Sequence, residues 1–226
     1  MVLFQRARAS LRRQGLTASV AKLHSIFLDH WHDFRYGLDT CSISELRDLT
    51  IRTGRVESGY IYRPVRLLAL RKFFKSIAAE LPSREVLVDI GSGKGRILLA
   101  AAELGFREAR GIEFARELCE IAQRNCARYQ AATGTSTVFH TLEGDAAQYA
   151  FRPDESVFVF CNPFAGDIMA RVLANLATSL QTHPRRIMVI YYNPTCRTLV
   201  EQQSWLVPHR EFIWCGHEFM AYVNRS

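Results

Sequence analysis

Hydrophobic and polar positions change period along the chain. From residue 86 onward, short apolar runs typical of buried strands alternate with segments of helical period. The strands are predicted near 86–90, 109–113, 137–142, 156–161, 186–192, 210–214 and 218–223. The helices between them are predicted near 96–104, 115–130, 166–180 and 195–203. This alternation predicts an α/β fold: a Rossmann-like, seven-stranded, mainly parallel sheet with helices on both faces, ending in an antiparallel hairpin across Cys215-Gly216.

The first 82 residues have a different pattern, which is mostly helical. Apolar residues at helical spacing mark residues 19–31: Val20, Leu23, Ile26 and Phe27. Another helix is predicted to begin near Glu45, capped by Ser42 or Ser44, and a third to open at Arg63-Pro64. The third helix carries a broad apolar face: Val65, Leu68, Leu70, Phe73, Phe74 and Ile77. We therefore expect a helical N-terminal extension or lid over residues 1–82, and a ligand-binding domain over residues 83–226.

Composition limits the class of protein. A chain of 226 residues with 48% hydrophobic and 23% charged residues is long enough for one domain with a sizeable core. No apolar run approaches the length of a membrane span, so no transmembrane segment is predicted. The six cysteines form no C-x-x-C pair and no zinc spacing, which indicates a reducing, cytoplasmic setting and no structural metal.

Charge is distributed unevenly. Residues 1–75 contain 14 Lys or Arg and 6 Asp or Glu, whereas residues 76–226 contain 15 and 16. The first 28 residues contain five basic residues and no acid, with apolar residues interspersed among them. Three interpretations of residues 1–28 stay open: a helix packed on the domain, a targeting segment, or a helix lying on a membrane surface.

The most informative segment joins the first two strands of the α/β region. After Val86–Ile90, glycine occupies every second position of a loop (Gly91, Gly93, Gly95), a helix follows at once, and the next strand ends in Glu113. Glycines permit close approach of the backbone to a ligand, and an acid at the end of the second strand suits a ribose diol. The segment therefore predicts a nucleoside-bearing cofactor. The spacing does not fit a dinucleotide G-x-G-x-x-G motif or a P-loop.

Asp89, two residues before the loop, would repel a pyrophosphate but suits a cationic ligand. With that acid, the motif resembles the first motif of the class I S-adenosylmethionine (SAM) methyltransferases. The resemblance implies that SAM is the cofactor and S-adenosylhomocysteine its product. It also implies that Asp89 organises the ammonium end, Glu113 holds the ribose and Asp145 lies beside the adenine. The full set of cofactor-binding residues implied is Tyr60, Asp89, Gly91, Ser92, Gly93, Gly95, Glu113, Phe114, Asp145 and Asn162.

The fourth strand ends in Asn162-Pro163-Phe164, which resembles the Asn-Pro-Pro-Tyr/Phe motif of amino-group methyltransferases with one proline missing. In that motif the Asn oxygen and the next backbone carbonyl orient the target amine, and the aromatic ring covers it. Tyr60 and Tyr62, before Pro64, resemble the Tyr-x-Pro step of little-described bacterial methyltransferases, which implies that Tyr62 overhangs the cofactor. An alternative for Asn162-Pro163 is a plain strand-ending turn.

The sequence therefore predicts a SAM-dependent methyltransferase that methylates an amine on a protein side chain or a small molecule. One alternative is an RNA or DNA methyltransferase whose basic N-terminal region binds phosphates. Another is a SAM-binding protein without catalysis. The acceptor, the number of methyl groups added and the oligomeric state are not determined by the sequence.

Overall fold

A computed structural model of the chain describes residues 2–44, 64–161 and 166–225, with side chains described from residue 19 onward. Within these residues the strands form one seven-stranded sheet in the order β3-β2-β1-β4-β5-β7-β6. The strands are β1 (Val86–Ile90), β2 (Glu108–Glu113), β3 (Val138–Glu143), β4 (Val157–Phe160), β5 (Met188–Tyr192), β6 (Leu206–Trp214) and β7 (His217–Asn224).

Strands β1 to β5 are parallel, and β7 is antiparallel to both β5 and β6. The predicted β6–β7 hairpin turns at Cys215 and Gly216, which both have positive φ (48° and 78°), as the tightest hairpin turns require. Because β1 lies between β2 and β4, the chain order reverses at β1. Ligands of open α/β sheets bind at such a switch point, outside the carboxyl ends of the strands. The predicted fold class is confirmed.

Helices cover both faces of the sheet. The helices are α1 (Val2–Tyr36), α2 (Leu67–Ile77), α3 (Arg96–Glu103), α4 (Arg116–Thr133), α5 (Gly166–Thr182) and α6 (Arg197–Glu201), with a short 3₁₀ turn at Ala146–Gln148. One core cluster joins α2, α3 and α4 to one face of the sheet, and a second joins α5 and α6 to the other. Five of the six residues expected on the apolar face after Pro64 are buried in the first cluster, where Phe73 stacks on Phe219 of β7. The sixth, Leu68, is half-buried.

The N-terminal region differs from the sequence expectation in one respect. The helical period over residues 19–31 is part of a single 35-residue helix, α1, but the apolar residues Val20, Leu23 and Phe27 are more than half exposed. Periodicity identifies residues that share a helix face, but it does not say which face meets the domain. In the part of α1 with described side chains, the buried residues are polar, although Tyr36 at the end of the helix packs on the first core cluster. Among the described residues, no helix combines the length and apolar character that crossing a bilayer requires.

Candidate cofactor site at the carboxyl ends of the strands

The glycine loop follows β1 and is fixed to β2 by its backbone. Gly91 N and Ser92 N both donate to the carbonyl oxygen of Ile112, at 2.9 and 3.0 Å. Gly91, Gly93 and Gly95 all have positive φ, and Gly95 directly precedes α3. A Cβ on Gly95 would lie 3.1 Å from the Cβ of Ala122 in α4. The loop conformation therefore depends on residues without side chains.

Glu113 ends β2 and binds the glycine loop. Its carboxylate is buried and accepts hydrogen bonds from Gly93 N at 2.8 Å and Ala115 N at 2.9 Å. Burial raises the pKa of Glu113, and these backbone donors partly offset the rise. Each carboxylate oxygen has a second lone pair, so the two backbone bonds leave acceptor capacity for a ligand hydroxyl.

Asp89 lies one residue before the end of β1 and is almost fully buried. Within the described part of the chain, its Oδ1 atom has no hydrogen-bond partner. Burial, with Glu113 nearby, raises the pKa of Asp89 well above its ordinary value. A buried carboxyl without a partner is costly, and a cationic ligand would relieve that cost.

Other predicted cofactor residues have defined places. The Ser92 side chain is buried against β2, where a Cβ on Gly111 would lie 2.6 Å from its Oγ atom. Phe114 is half-buried between Glu113 and α4. The Asp145 carboxylate accepts hydrogen bonds from Ala147 N at 2.9 Å and Gln148 Nε2 at 3.2 Å, so it caps the 3₁₀ turn after β3.

The remaining predicted site residues lie outside the described part of the chain. They are Tyr60, Tyr62, Asn162, Pro163 and Phe164. The structure describes the chain up to Cys161, which follows β4 at the switch point. Burial and the nearby Asp89 raise the pKa of the Cys161 thiol well above its ordinary value, so the thiol is neutral at pH 7.

A pair of residues at the ends of β5 and β7 was not among the predicted site residues. The hydroxyl of Tyr192 is hydrogen-bonded to Nδ1 of His217 at 2.6 Å. Burial, with Cys161 nearby, raises the pKa of Tyr192. Burial and the positive charges of Arg66 and Lys22 lower the pKa of His217, so its ring is neutral at pH 7. Tyr192 lies at the end of a predicted parallel strand, where ligand-binding residues are common, so the sequence could have indicated it as a site residue.

Comparison with known proteins identifies the class. The family model described as "Histone methylation protein DOT1" matches residues 46–157, a range that includes the glycine loop, Glu113 and Asp145. An RNA methyltransferase from Salinibacter ruber, solved with S-adenosylhomocysteine, is 19% identical over 71% of this chain and 93% of its own, with a TM-score of 0.51. The chain is a class I SAM-dependent methyltransferase.

Other solved methyltransferases have the same fold. A putative RNA methyltransferase from Pyrococcus horikoshii is 16% identical over 79% of this chain and 95% of its own, with a TM-score of 0.53. A putative methyltransferase from Escherichia coli is 14% identical over 70% of this chain and 87% of its own, also with a TM-score of 0.53. No curated protein matches the sequence of this methyltransferase.

The cofactor of the methyltransferase is SAM, and the described residues fit it. SAM carries an ammonium group and a sulfonium, which would compensate the unpartnered carboxyl of Asp89. Glu113 retains acceptor capacity for the ribose diol. Cationic ligand groups beside buried acids gain more than they would in water, because the surroundings have a low dielectric constant.

The glycine loop of the methyltransferase is also bound by side chains of the N-terminal region. Lys94 Nζ binds the Asp39 carboxylate at 3.1 and 3.2 Å and also bonds Ser42. Asn125 of α4 donates to the carbonyl oxygens of Asp39 (3.0 Å) and Lys94 (2.9 Å) and so ties the two segments together. Arg96, the first residue of α3, is 2% exposed and also binds the N-terminal region, through contacts to Thr40 and Asp29.

These contacts were also absent from the sequence analysis. They join residues 31 to 86 positions apart, and a sequence of one protein carries no signal for such pairs. No group of three or more His, Cys, Asp or Glu residues that could hold a metal ion occurs in the part of the chain with described side chains.

Proposed function

We propose that this methyltransferase transfers a methyl group to an amine nitrogen, on a protein side chain or a small molecule. The observation that carries the proposal is the position of Asn162-Pro163-Phe164, which begins immediately after Cys161 at the switch point. Cys161 directly follows β4, which pairs with β1, and burial and Asp89 of β1 raise the pKa of the Cys161 thiol, which supports a role beside the cofactor for residues that follow Cys161 in the sequence. The matching family model is named for methylation of a protein, which agrees with an amine acceptor.

In the proposed mechanism, the chain binds and orients both reactants. Asp89 receives the positively charged end of the cofactor, Glu113 the ribose and Asp145 the adenine. SAM supplies an electrophilic methyl group on its sulfonium. Asn162 Oδ1 and the carbonyl oxygen of Pro163 accept hydrogen bonds from the acceptor amine and so direct its lone pair. Such positioning of an in-line displacement provides a large part of the acceleration.

Aromatic side chains would complete the acceptor pocket. We assign Phe164, Tyr60 and Tyr62 to its walls, where a ring face attracts a cation. A strong general base is not required, because an amine can lose its proton to solvent before the transfer. The hydrogen-bonded pair of Tyr192 and neutral His217 lies at the same edge of the sheet.

Methylation of RNA or DNA is the second candidate. Two of the structural relatives are named as RNA methyltransferases, and residues 1–75 of this chain carry the excess of basic residues that phosphate binding requires. The neutral thiol of Cys161 argues against one form of this reaction, because attack on a pyrimidine carbon needs a thiolate. A SAM-binding protein without turnover is the third candidate.

The test is transfer of labelled methyl groups from SAM to fractionated lysate. The protein, nucleic acid and small-molecule fractions are assayed separately with the wild type, Asn162→Ala and a control. Asn193→Gly is the matched control, since Asn193-Pro194 is the same dipeptide after β5 and glycine tolerates the positive φ of 45° found there. We expect label in protein or small molecules, lost in Asn162→Ala and retained in Asn193→Gly.

Label found in nucleic acid alone would replace the amine proposal with the second candidate. Label lost equally in both variants would reduce Asn162-Pro163 to a structural turn. Binding of SAM without label in any fraction would favour the non-catalytic candidate.

A further inference from the structure

Helix α1 has a polar buried face. Over residues 19–36, where its side chains are described, four residues are buried and all are polar: Ser25, Asp29, His32 and Asp33. Asp29 accepts a hydrogen bond from Arg66 at 2.9 Å and is paired with Arg96 at 3.2 Å. The helix is therefore held on the domain by charged and polar contacts.

The opposite face of α1 is apolar and exposed. Its large hydrophobic side chains are 48–79% exposed, and we call these five residues the outer stripe: Val20, Leu23, Phe27, Trp31 and Phe34. At about 100° of rotation per residue, all five fall within a sector of roughly 80°. The rings pack on one another along the helix, with centroids 6.4 Å apart for Phe27 and Trp31 and 5.9 Å apart for Trp31 and Phe34.

The outer stripe is large for a protein surface. The three aromatic rings alone expose on the order of 400 Å², given their exposed fractions and the area that such rings carry. Leucine and valine extend it toward the N-terminus of the helix. Continuous apolar patches of this size mark interaction sites on soluble proteins. The pattern is inverted relative to an ordinary surface helix, whose apolar face meets the core.

Charge identifies the kind of surface that would cover the outer stripe. Over residues 19–36, both acids, Asp29 and Asp33, are buried, so the exposed side chains include no carboxylate. The exposed residues other than the stripe are His24, His30, Lys22 and Arg35. The sequence before Asp29 contains five basic residues and no acid, and all five are within the same continuous helix. The surface offered by α1 is thus apolar and cationic together.

We propose that α1 docks this methyltransferase on an anionic membrane surface. The outer stripe enters the boundary between headgroups and acyl chains, and the cationic side chains of the helix contact anionic headgroups. Apolar area and attraction to anionic lipids are the two terms that govern binding of interfacial helices. A second copy of the chain is less favoured as the occupant, because pairing two stripes brings together two helix faces whose exposed charged side chains, over residues 19–36, are basic. Nucleic acid is less favoured as the occupant, because the aromatic rings of the outer stripe pack on one another and lie among its aliphatic side chains.

The test is sedimentation of the full chain with vesicles, comparing phosphatidylcholine alone with phosphatidylcholine mixed with phosphatidylglycerol. Phe27→Glu and Phe34→Glu place a negative charge in the stripe. Ile213→Glu is the matched control, since Ile213 is 66% exposed on β6, outside α1. Thermal unfolding and SAM binding establish that each variant is folded, and the high exposure of both phenylalanines favours folding.

We expect the wild type and Ile213→Glu to bind the anionic vesicles, with binding weakened by salt and on neutral vesicles. Each stripe variant should bind at least about tenfold more weakly, because it loses apolar area and adds a repelled charge. Absence of wild-type binding to anionic vesicles would overturn the proposal. So would binding that the two stripe variants leave unchanged, which would be non-specific electrostatic adsorption. A dimer in light scattering that Phe27→Glu dissociates and Ile213→Glu does not would assign the stripe to a second copy of the chain instead.

Discussion

Arg96 links the glycine loop to the N-terminal region, and its replacement by methionine should strongly lower the free energy of unfolding. Its Nε atom donates to Thr40 Oγ1 at 3.0 Å, and Nη1 donates to the carbonyl oxygen of Val65 at 3.0 Å. Nη1 also pairs with Asp29 at 3.2 Å, and Nη2 donates to Cys41 Sγ at 2.9 Å. Arg96→Met retains an apolar side chain of similar length and removes every donor.

The magnitude follows from burial of the partners. The side chain of Arg96 is 3% exposed and that of Asp29 is 0% exposed, so water cannot replace the lost contacts. Removing one partner of a buried ion pair costs about 3–5 kcal/mol. Arg66→Met is the control, because Arg66 pairs with the same Asp29 at 2.9 Å but is 28% exposed. That variant leaves Asp29 bonded to Arg96 and to Leu67 N, and should cost roughly 1–2 kcal/mol.

Urea unfolding of the wild type and the two variants measures both costs, and thermal unfolding gives a second measure. A loss of 3–5 kcal/mol in a protein of this size should lower Tm by about 6–20 °C. Calorimetry should also show weaker SAM binding for Arg96→Met, since Arg96 directly follows Gly95 of the cofactor loop. Equal losses in the two variants, or a loss below about 1 kcal/mol for Arg96→Met, would refute the argument from burial.

Three further predictions concern the cofactor, pH and the acceptor. Glu113→Ala should weaken SAM binding by about 1–3 kcal/mol in calorimetry, since it leaves hydroxyl and backbone donors without an acceptor; unchanged affinity would remove Glu113 from the site. Burial alone would raise the pKa of Glu103, but hydrogen bonds from His32 and Arg71 lower it from 4.5 to about 2. Burial alone would lower the pKa of His32, but hydrogen bonds to Asp33 and Glu103 raise it above 6.5. The Glu103 contribution is therefore present above pH 4.5 and lost toward pH 2, and the His32 contribution is complete below pH 6.5 and lost as pH rises through its raised pKa. Urea unfolding over a pH series should show the two contributions together between these values, and a His32 contribution that grows above pH 6.5 would contradict the pairing. Asn162→Ala should lower kcat at least about tenfold with little change in the Kd for SAM, and Asn162→Asp should bind SAM more tightly yet turn over more slowly, because its added charge favours the cationic ground state.

The α/β region could be predicted closely from the sequence. Buried parallel strands appear as short apolar runs, and a glycine directly follows β1, so β1 was predicted with the bounds that the structure has. The glycine loop could be located because its glycines and the acids around it lie within one segment, from Asp89 to Glu113, and their role in binding the cofactor stays a prediction. Local signals were sufficient wherever the chemistry is local.

The contacts around that loop could not be predicted in this way. Lys94 and Arg96 were visible in the sequence, but their partners Asp39 and Asp29 lie more than 50 residues away. The orientation of α1 was hidden for a related reason. An apolar stripe on a helix is normally its core-facing side. In this helix Asp29 and Asp33 pair with Arg96, and His32 pairs with Glu103, so the polar face is turned inward.

The charge count of the N-terminal region is misleading until these pairs are known. Residues 1–75 contain six acids, and three of them, Asp29, Asp33 and Asp39, face the cations of the cofactor loop and α3. Asp33 and Asp39 pair with Arg96 and Lys94 of the later region, and Asp29 pairs with both Arg96 and Arg66, so the Lys and Arg residues paired with these acids lie outside α1. The outward surface of α1 is consequently more positive than the composition suggests. The same ion pairs that fix α1 beside the glycine loop thus leave its exposed side both apolar and cationic. A single helix therefore connects the glycine loop with the surface proposed to meet the membrane.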